Sequence, residues 1–351
     1  MKQTRKPVST IIAALFAVLL AGAFLPVDYV IESPGPTFNT IGSFDNQDLI
    51  AVDGKRTYPT AGELDMTTVM VSGGPGRDIT AGDAVRAMLN PHQDLVPKSM
   101  LYDESQTRQE VDEQNQAMMD HSQTDAVAAA LHEQGIDFVR KFVVQGFTEE
   151  TQADGILKLN DEIQTADGRD ISGVVALRQQ LAELDEDTIT LGLTRDGQDM
   201  DVEVPVVTSA AGERVMGVFL SNTYEFPFDV SVNLDDVGGP SAGLMFALAL
   251  VDKMTPGAMT GGKHFAGTGT IDADGTVGSI GGIPQKVVGA QQQGAKYFLA
   301  PEENCADLRG RIPAGITVFS VKNLAQARKI VEQVGRQSDT DQAFADLPQC
   351  D

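Results

Sequence analysis

The sequence predicts a mixed α/β chain with a small β-rich unit in its middle and one apolar segment near its N-terminus. Three observations predict this fold class. From Gly212 onward, strand-like and helix-like runs alternate, the order that builds mixed α/β layers. Residues 136–208 read instead as short strands, one amphipathic helix and a hairpin turning at Asp196-Gly197. Residues 11–25, IIAALFAVLLAGAFL, form an unbroken apolar run.

The apolar run follows a basic start, MKQTRK, so Lys2, Arg5 and Lys6 are expected to stay inside and the rest of the chain to pass out. We read residues 8–27 as an uncleaved transmembrane anchor, with 1–7 cytoplasmic. A cleaved signal peptide is the rival, because Ala21-Gly22-Ala23 fits a small-residue cleavage site. With 351 residues the chain can hold two or three domains with real cores. A formal charge of −24 argues against a nucleic-acid footprint and otherwise speaks only to solubility. The two cysteines, Cys305 and Cys350, would lie in an oxidising compartment, where pairing is expected to pin the C-terminal tail.

After the anchor, ESPGPTFNTIG reads as an extended, turn-rich exit. LIAVDGKRTYP and GELDMTTVMVSG read as strands, and 106–134 as a helix stopped by Gly135. These fall in a first segment, 28–135. In 136–208, FVRKFVVQG is a strand, ILKLNDEIQTADG a short strand pair, VVALRQQLAEL a helix and TITLGLTRDGQDMDVEVPVV a hairpin. In 209–335, GVFLSN and FDVSVNL are strands and PSAGLMFALALVDKM is a buried helix. A hairpin around Asp274-Gly275 follows, then a helix from PQKVVGAQQQG, strands YFLAP and ITVFSV, and a closing helix. Residues 336–351 are a tail.

Ser241 is the residue that raises a chemical question. It follows a Gly238-Gly239-Pro240 turn at the head of an apolar helix, where a serine commonly serves as an N-cap. Residues 239–243 also satisfy G-x-S-x-G, the nucleophile elbow of α/β hydrolases. That mechanism needs an acid and then a histidine downstream. Only His264 follows, 23 residues on, and Asp252 lies on the same helix as the serine. The elbow reading fails, so a nucleophilic Ser241 needs another base.

A lysine serves if burial lowers its proton affinity. Lys286 sits in SIGGIPQKVVGAQQQG among Ile280, Ile283, Val287 and Val288, and no acid occurs between Gly275 and Ala300. Such a base should have no carboxylate beside it. Composition alone favours a solvated lysine on the helix surface.

GGPSAG followed by TGTIDADGTVGSIGGIPQK resembles the Lon protease catalytic domain. The resemblance implies that Ser241 and Lys286 form a Ser-Lys dyad and that Thr268 orients the amine. Gly239 and Ala242 are supporting positions, with the oxyanion hole made by backbone N–H groups near Ser241. The middle unit, through LKLNDEIQTADG, resembles a bacterial PDZ domain, which implies binding of peptide tails at a sheet edge. Together the parts resemble YlbL-like bacterial cell-surface proteins. The implied architecture is a Lon-like domain in two pieces, a PDZ-like insert and one membrane helix.

The implied function is a membrane-anchored, ATP-independent endopeptidase with protein or peptide substrates outside the cytoplasm. A non-catalytic, PDZ-bearing scaffold is the alternative, and the oligomeric state stays open. This sequence departs from many Lon domains at Gly238, where they carry an acid; Asp235 and Asp236 come slightly earlier. GAMTGGKH misses the phosphate-loop pattern at His264 and leads into a strand, so no ATP is expected. No histidine or cysteine spacing predicts a metal, and Asp272 to Gly275 reads as a hairpin turn rather than a calcium loop.

Overall fold

The computed structural model describes the chain except residues 1–11, 15, 18–19, 45–46, 104, 149–150, 172, 210, 235–236, 338–343, 345 and 351. The chain divides into two compact units, one formed by Met1–Ile136 with Phe228–Asp351 and the other by Asp137–Pro227.

The first unit is built on a six-stranded mixed sheet. Its elements in chain order are β1 (Tyr29–Asn39), β2 (Glu63–Ser72), α1 (Ala81–Met88), β3 (Asp94–Pro97), α2 (Arg108–Glu133), α3 (Gly243–Met254), β4 (His264–Gly267), α4 (Ile283–Gln292), β5 (Tyr297–Pro301), β6 (Thr317–Val321) and α5 (Leu324–Arg336). The strand order is β6-β5-β4-β2-β1-β3. Pairing is parallel from β6 to β2 and antiparallel from β2 through β1 to β3.

The parallel strand β5, YFLAP, reads as a continuous apolar run because both of its faces are covered, and every residue of it is buried. The helix α3 is apolar from Leu244 to Val251, and all of its residues, Asp252 and Lys253 in its last turn included, are buried, as befits a central core helix. By contrast α5 buries Leu324, Ala327, Ile330, Val331 and Val334, one stripe at helical spacing. The long α2 opens with a reciprocal capping box between Thr107 and Glu110 and buries its alanine-rich second half. The Cys305–Cys350 disulfide is formed. It anchors the tail, whose Cys350 N–H donates to Val318 O at 3.0 Å.

The second unit is described by residue ranges. Its sheet runs Gln198–Pro205, Thr188–Arg195, Glu162–Ala166, Val139–Phe147, Val218–Glu225, with a helix at Val174–Glu183. The hairpin turn at Asp196-Gly197 has φ of 51° and 78°, the mirror-image geometry that favours Asp-Gly. Its core gathers Leu157, Ile163, Leu177, Ile189, Leu191 and Val204, and Asp161 is held by a two-pronged contact with Arg195.

Two expectations change, and a third falls partly outside the described residues. ESPGPTFNTIG is no loose exit but most of β1; Pro34 and Pro36 are accommodated because the register against β2 shifts between Pro34 and Thr37. GVFLSN belongs to the middle unit, which ends at 227 rather than 208, because Val218–Glu225 pairs along Val139–Phe147. For the anchor read at 8–27, residues 8–11, 15 and 18–19 lie outside the described residues. Among the described residues no helix is long and apolar enough to cross a membrane. Asp235 and Asp236 lie outside them as well.

Candidate active site

Ser241 does not cap its helix. The N-cap of α3 is Ala242, with no side-chain cap bond, so the serine hydroxyl has a different partner. Lys286 Nζ lies 2.7 Å from Ser241 Oγ and 3.0 Å from Thr268 Oγ1. Thr268 Oγ1 in turn donates to the Ser241 carbonyl at 3.0 Å, as does the Gly269 N–H at 2.9 Å. One hydroxyl thus holds both the amine and the serine backbone, and Thr268 can do so because it is wholly buried.

The lysine comes from the first turn of α4, whose capping residue Gly282 has φ of 65° and whose Pro284 sits in the opening turn. Ile283, Val287 and Val288 are buried around it. With Lys286 only 3% exposed, burial lowers its proton affinity from 10.5 to about 7, against an opposing pull from the Glu32 carboxylate. A substantial share of the amine is then uncharged at neutral pH and can accept the serine proton.

The turn before the serine is braced by α2 at two points. Asn115 O accepts the Gly239 N–H at 2.9 Å, and Ser122 Oγ donates to Pro240 O at 2.9 Å. A Cβ at Gly238 would fall 2.7 Å from Asn115 Cβ, so close approach of α2 explains why an acid cannot stand there. Gly239 has φ of 89°, and Ala242 is buried at the start of α3. The Leu244 N–H donates to Gly269 O at 3.1 Å, tying the helix start to the segment that carries Thr268. A hollow of about 220 Å³, lined partly by Ser122, Pro240, Thr270 and Ile271, lies against this turn.

The structure therefore brings together Ser241, Lys286 and Thr268, with Gly239 and Ala242 in the flanking backbone. Two contributors were missed. Asn115 acts through its main-chain carbonyl and leaves no signal in the sequence. Glu32 overturns the expectation of an acid-free base, because strand pairing delivers it from the far end of the chain.

A separate cluster joins His264 to Asp65 at 2.9 Å and to Glu63 at 3.1 Å. Their potential ligand atoms lie within 4.8 Å of one another. Asp65 Oδ2 already accepts from Thr37 Oγ1 at 2.7 Å, so the cluster reads as an ionic strut between β2 and β4. Burial opposes charge on His264, but the hydrogen bond to Asp65 and both carboxylates raise its proton affinity overall.

Comparison with known proteins puts a family beside this geometry. Residues 235–334 match the Lon protease (S16) C-terminal proteolytic domain. A Lon protease of Buchnera aphidicola is 36% identical over 95 residues, 26% of this chain and 12% of that protein. A Lon protease of Roseiflexus castenholzii is 44% identical over 71 residues, 20% of this chain and 9% of that one. The chain thus spans about a tenth of the length of these relatives.

Among solved structures, the PDZ domain of an SdrC-like protein from Listeria monocytogenes aligns at 15% identity with a TM-score of 0.21, covering 22% of this chain and 85% of that one. Ser241, Thr268 and Lys286 all fall inside the matched segment, and its similarity is that of a serine protease, the Lon-type (S16) proteolytic domain.

Proposed function

We propose that this protein is a serine endopeptidase of Lon type that cuts flexible or unfolded protein segments with a Ser241–Lys286 dyad. The observation that carries the reading is the 2.7 Å approach of Lys286 Nζ to Ser241 Oγ, made by a buried amine lowered to about 7. The neutral amine takes the hydroxyl proton as Oγ attacks the scissile carbonyl, and the ammonium then returns a proton to the leaving amine. Backbone N–H groups around Ser241 and Ala242, at the positive end of α3, would stabilise the oxyanion. Thr268 holds the amine, and Gly239 shapes the turn.

We assign the middle unit a PDZ-like role in recognising peptide tails. Val218–Glu225 ends the strand order of its sheet, an edge to which an extended segment can add. The reading is further that of a YlbL-like, membrane-tethered enzyme acting outside the cytoplasm without ATP. Support for the tether is the apolar run 11–25 behind Lys2, Arg5 and Lys6; membrane fractionation with protease accessibility from outside checks it.

The test of catalysis is turnover of an unfolded protein by the purified full chain in detergent, with Ser241→Ala and Lys286→Ala beside it. Activity lost in both variants and indifferent to ATP supports the reading. Turnover surviving both substitutions removes the dyad, and a folded wild type without turnover favours a PDZ-bearing scaffold.

A further inference from the structure

Glu32 stands on β1, opposite Val71 on β2 and Asp94 on β3. Its Oε2 comes within 3.5 Å of the point where a side chain would begin on Gly282, the residue that caps α4. Val69 Cγ2 lies 2.7 Å from that same point, so only glycine fits, and the backbone of α4 can settle against β1 and β2. The Gly282 carbonyl accepts the Lys286 N–H at 3.1 Å. A carboxyl from the far end of the chain therefore lies over the helical turn that presents the candidate base.

We propose that Glu32 is a positioning residue for the Ser241–Lys286 pair, its carboxylate lying over the first turn of α4 as the counter-charge to the ammonium formed during attack. This rests on the peptidase reading. In the step concerned, the Oγ–H bond of Ser241 breaks, an Nζ–H bond forms on Lys286, and Oγ bonds to the substrate carbonyl carbon. Positive charge appears on Nζ as negative charge appears on the carbonyl oxygen. A buried ammonium is costly without a counter-charge. Glu32 supplies one without contacting the reacting carbonyl.

The groups facing this pair come from several elements. Asp94 on β3 faces Glu32 and is itself held by Arg311, with contacts of 2.8 and 2.9 Å. Tyr102 feels the Glu32 charge and has its own proton affinity raised, chiefly by burial. Ser241 and Thr268 hydrogen-bond the amine, and Glu32 acts on it through its charge. Burial first, then Asp94, pushes Glu32 upward, while Lys286 pulls it down. Burial alone would bring the two proton affinities together; the attraction between carboxylate and ammonium works the other way, lowering that of Glu32 and raising that of Lys286.

The test is the titration of Lys286 itself, followed by NMR in full-length protein carrying ¹³Cε-lysine. The resonance is assigned by its loss in Lys286→Arg. In Glu32→Gln the midpoint should fall by roughly 0.5–1 pH unit, and Glu32→Asp should recover much of the difference. The acid limb of kcat/KM should move by the same amount. An unchanged Lys286 midpoint in folded Glu32→Gln overturns the proposal. If Glu32→Gln does not fold, the reciprocal measurement decides: the Glu32 carboxyl, followed by ¹³Cδ-glutamate NMR and assigned by its loss in Glu32→Asp, should titrate higher in Lys286→Met than in wild type, and an unchanged Glu32 midpoint overturns the proposal. A wild type without turnover overturns the peptidase reading alone, because the NMR midpoint needs no substrate.

Discussion

Lys286→Arg separates a base from a mere cation. Burial moves the Lys286 amine from 10.5 to about 7, which at 1.36 kcal/mol per unit corresponds to about 5 kcal/mol favouring the neutral form. At pH 7 about half of the amine is then ready to accept a proton, against roughly three parts in ten thousand for a solvated lysine. Arginine stays protonated throughout the accessible range, so it keeps length and charge while removing the base. General-base catalysis is worth about 100–10,000-fold, and the variant should lose that much.

The assay is kcat/KM on a fluorogenic unfolded substrate between about pH 5 and pH 9. In the wild type the rate should rise tenfold per pH unit below about 7 and then level, because protonated Lys286 is the inactive form. Lys286→Arg should show no recovery at high pH. A wild-type profile flat across this range, or a folded arginine variant within tenfold of wild type, would refute the reasoning.

Thr268→Val keeps the shape of a buried residue but removes the hydroxyl shared by Lys286 and the Ser241 carbonyl. We expect kcat to fall about tenfold while the Tm moves by only a few degrees, read by steady-state kinetics and calorimetry. Gly238→Ala places a methyl 2.7 Å from Asn115 Cβ, so the turn must shift; activity should drop while circular dichroism stays native. Asp252 is buried, and desolvation raises its carboxyl from 3.8 to about 6, so its stability contribution is complete at acid pH and is lost as pH rises through about 6. Asp252→Asn, which keeps an acceptor for the Met259 N–H, should raise the Tm at pH 8 and leave it unchanged near pH 4. Reducing Cys305–Cys350 releases a tail whose Phe344 packs on Tyr297 and Phe319, and thermal unfolding with and without reductant should differ by up to about 4 kcal/mol.

What the sequence made legible was local. Ser241 and Lys286 sit in short motifs whose glycines and prolines fix turns, whereas the burial of Lys286 followed only from the resemblance, since its apolar flanks alone fit a surface lysine as well. Thr268 was reachable only through the resemblance, since an isolated threonine carries no chemistry of its own. Glu32 could not be read because Pro34-Gly35-Pro36 imitates a loop. The strand survives through a register shift that no periodicity announces. Val218–Glu225 was recognisable as a strand but not its partner, because the pairing reaches back across the whole middle unit to Val139–Phe147. Asn115 works through its carbonyl, which every residue type possesses.

The most direct measurement is mass spectrometry of the full-length protein after treatment with a peptidyl diphenyl phosphonate, a reagent that marks activated serines. The account requires one phosphonyl group on the peptide containing Ser241, formed faster as pH rises through about 7 and absent in Lys286→Arg. Labelling of a different residue, or labelling of Ser241 at an unchanged rate in the arginine variant, would contradict it.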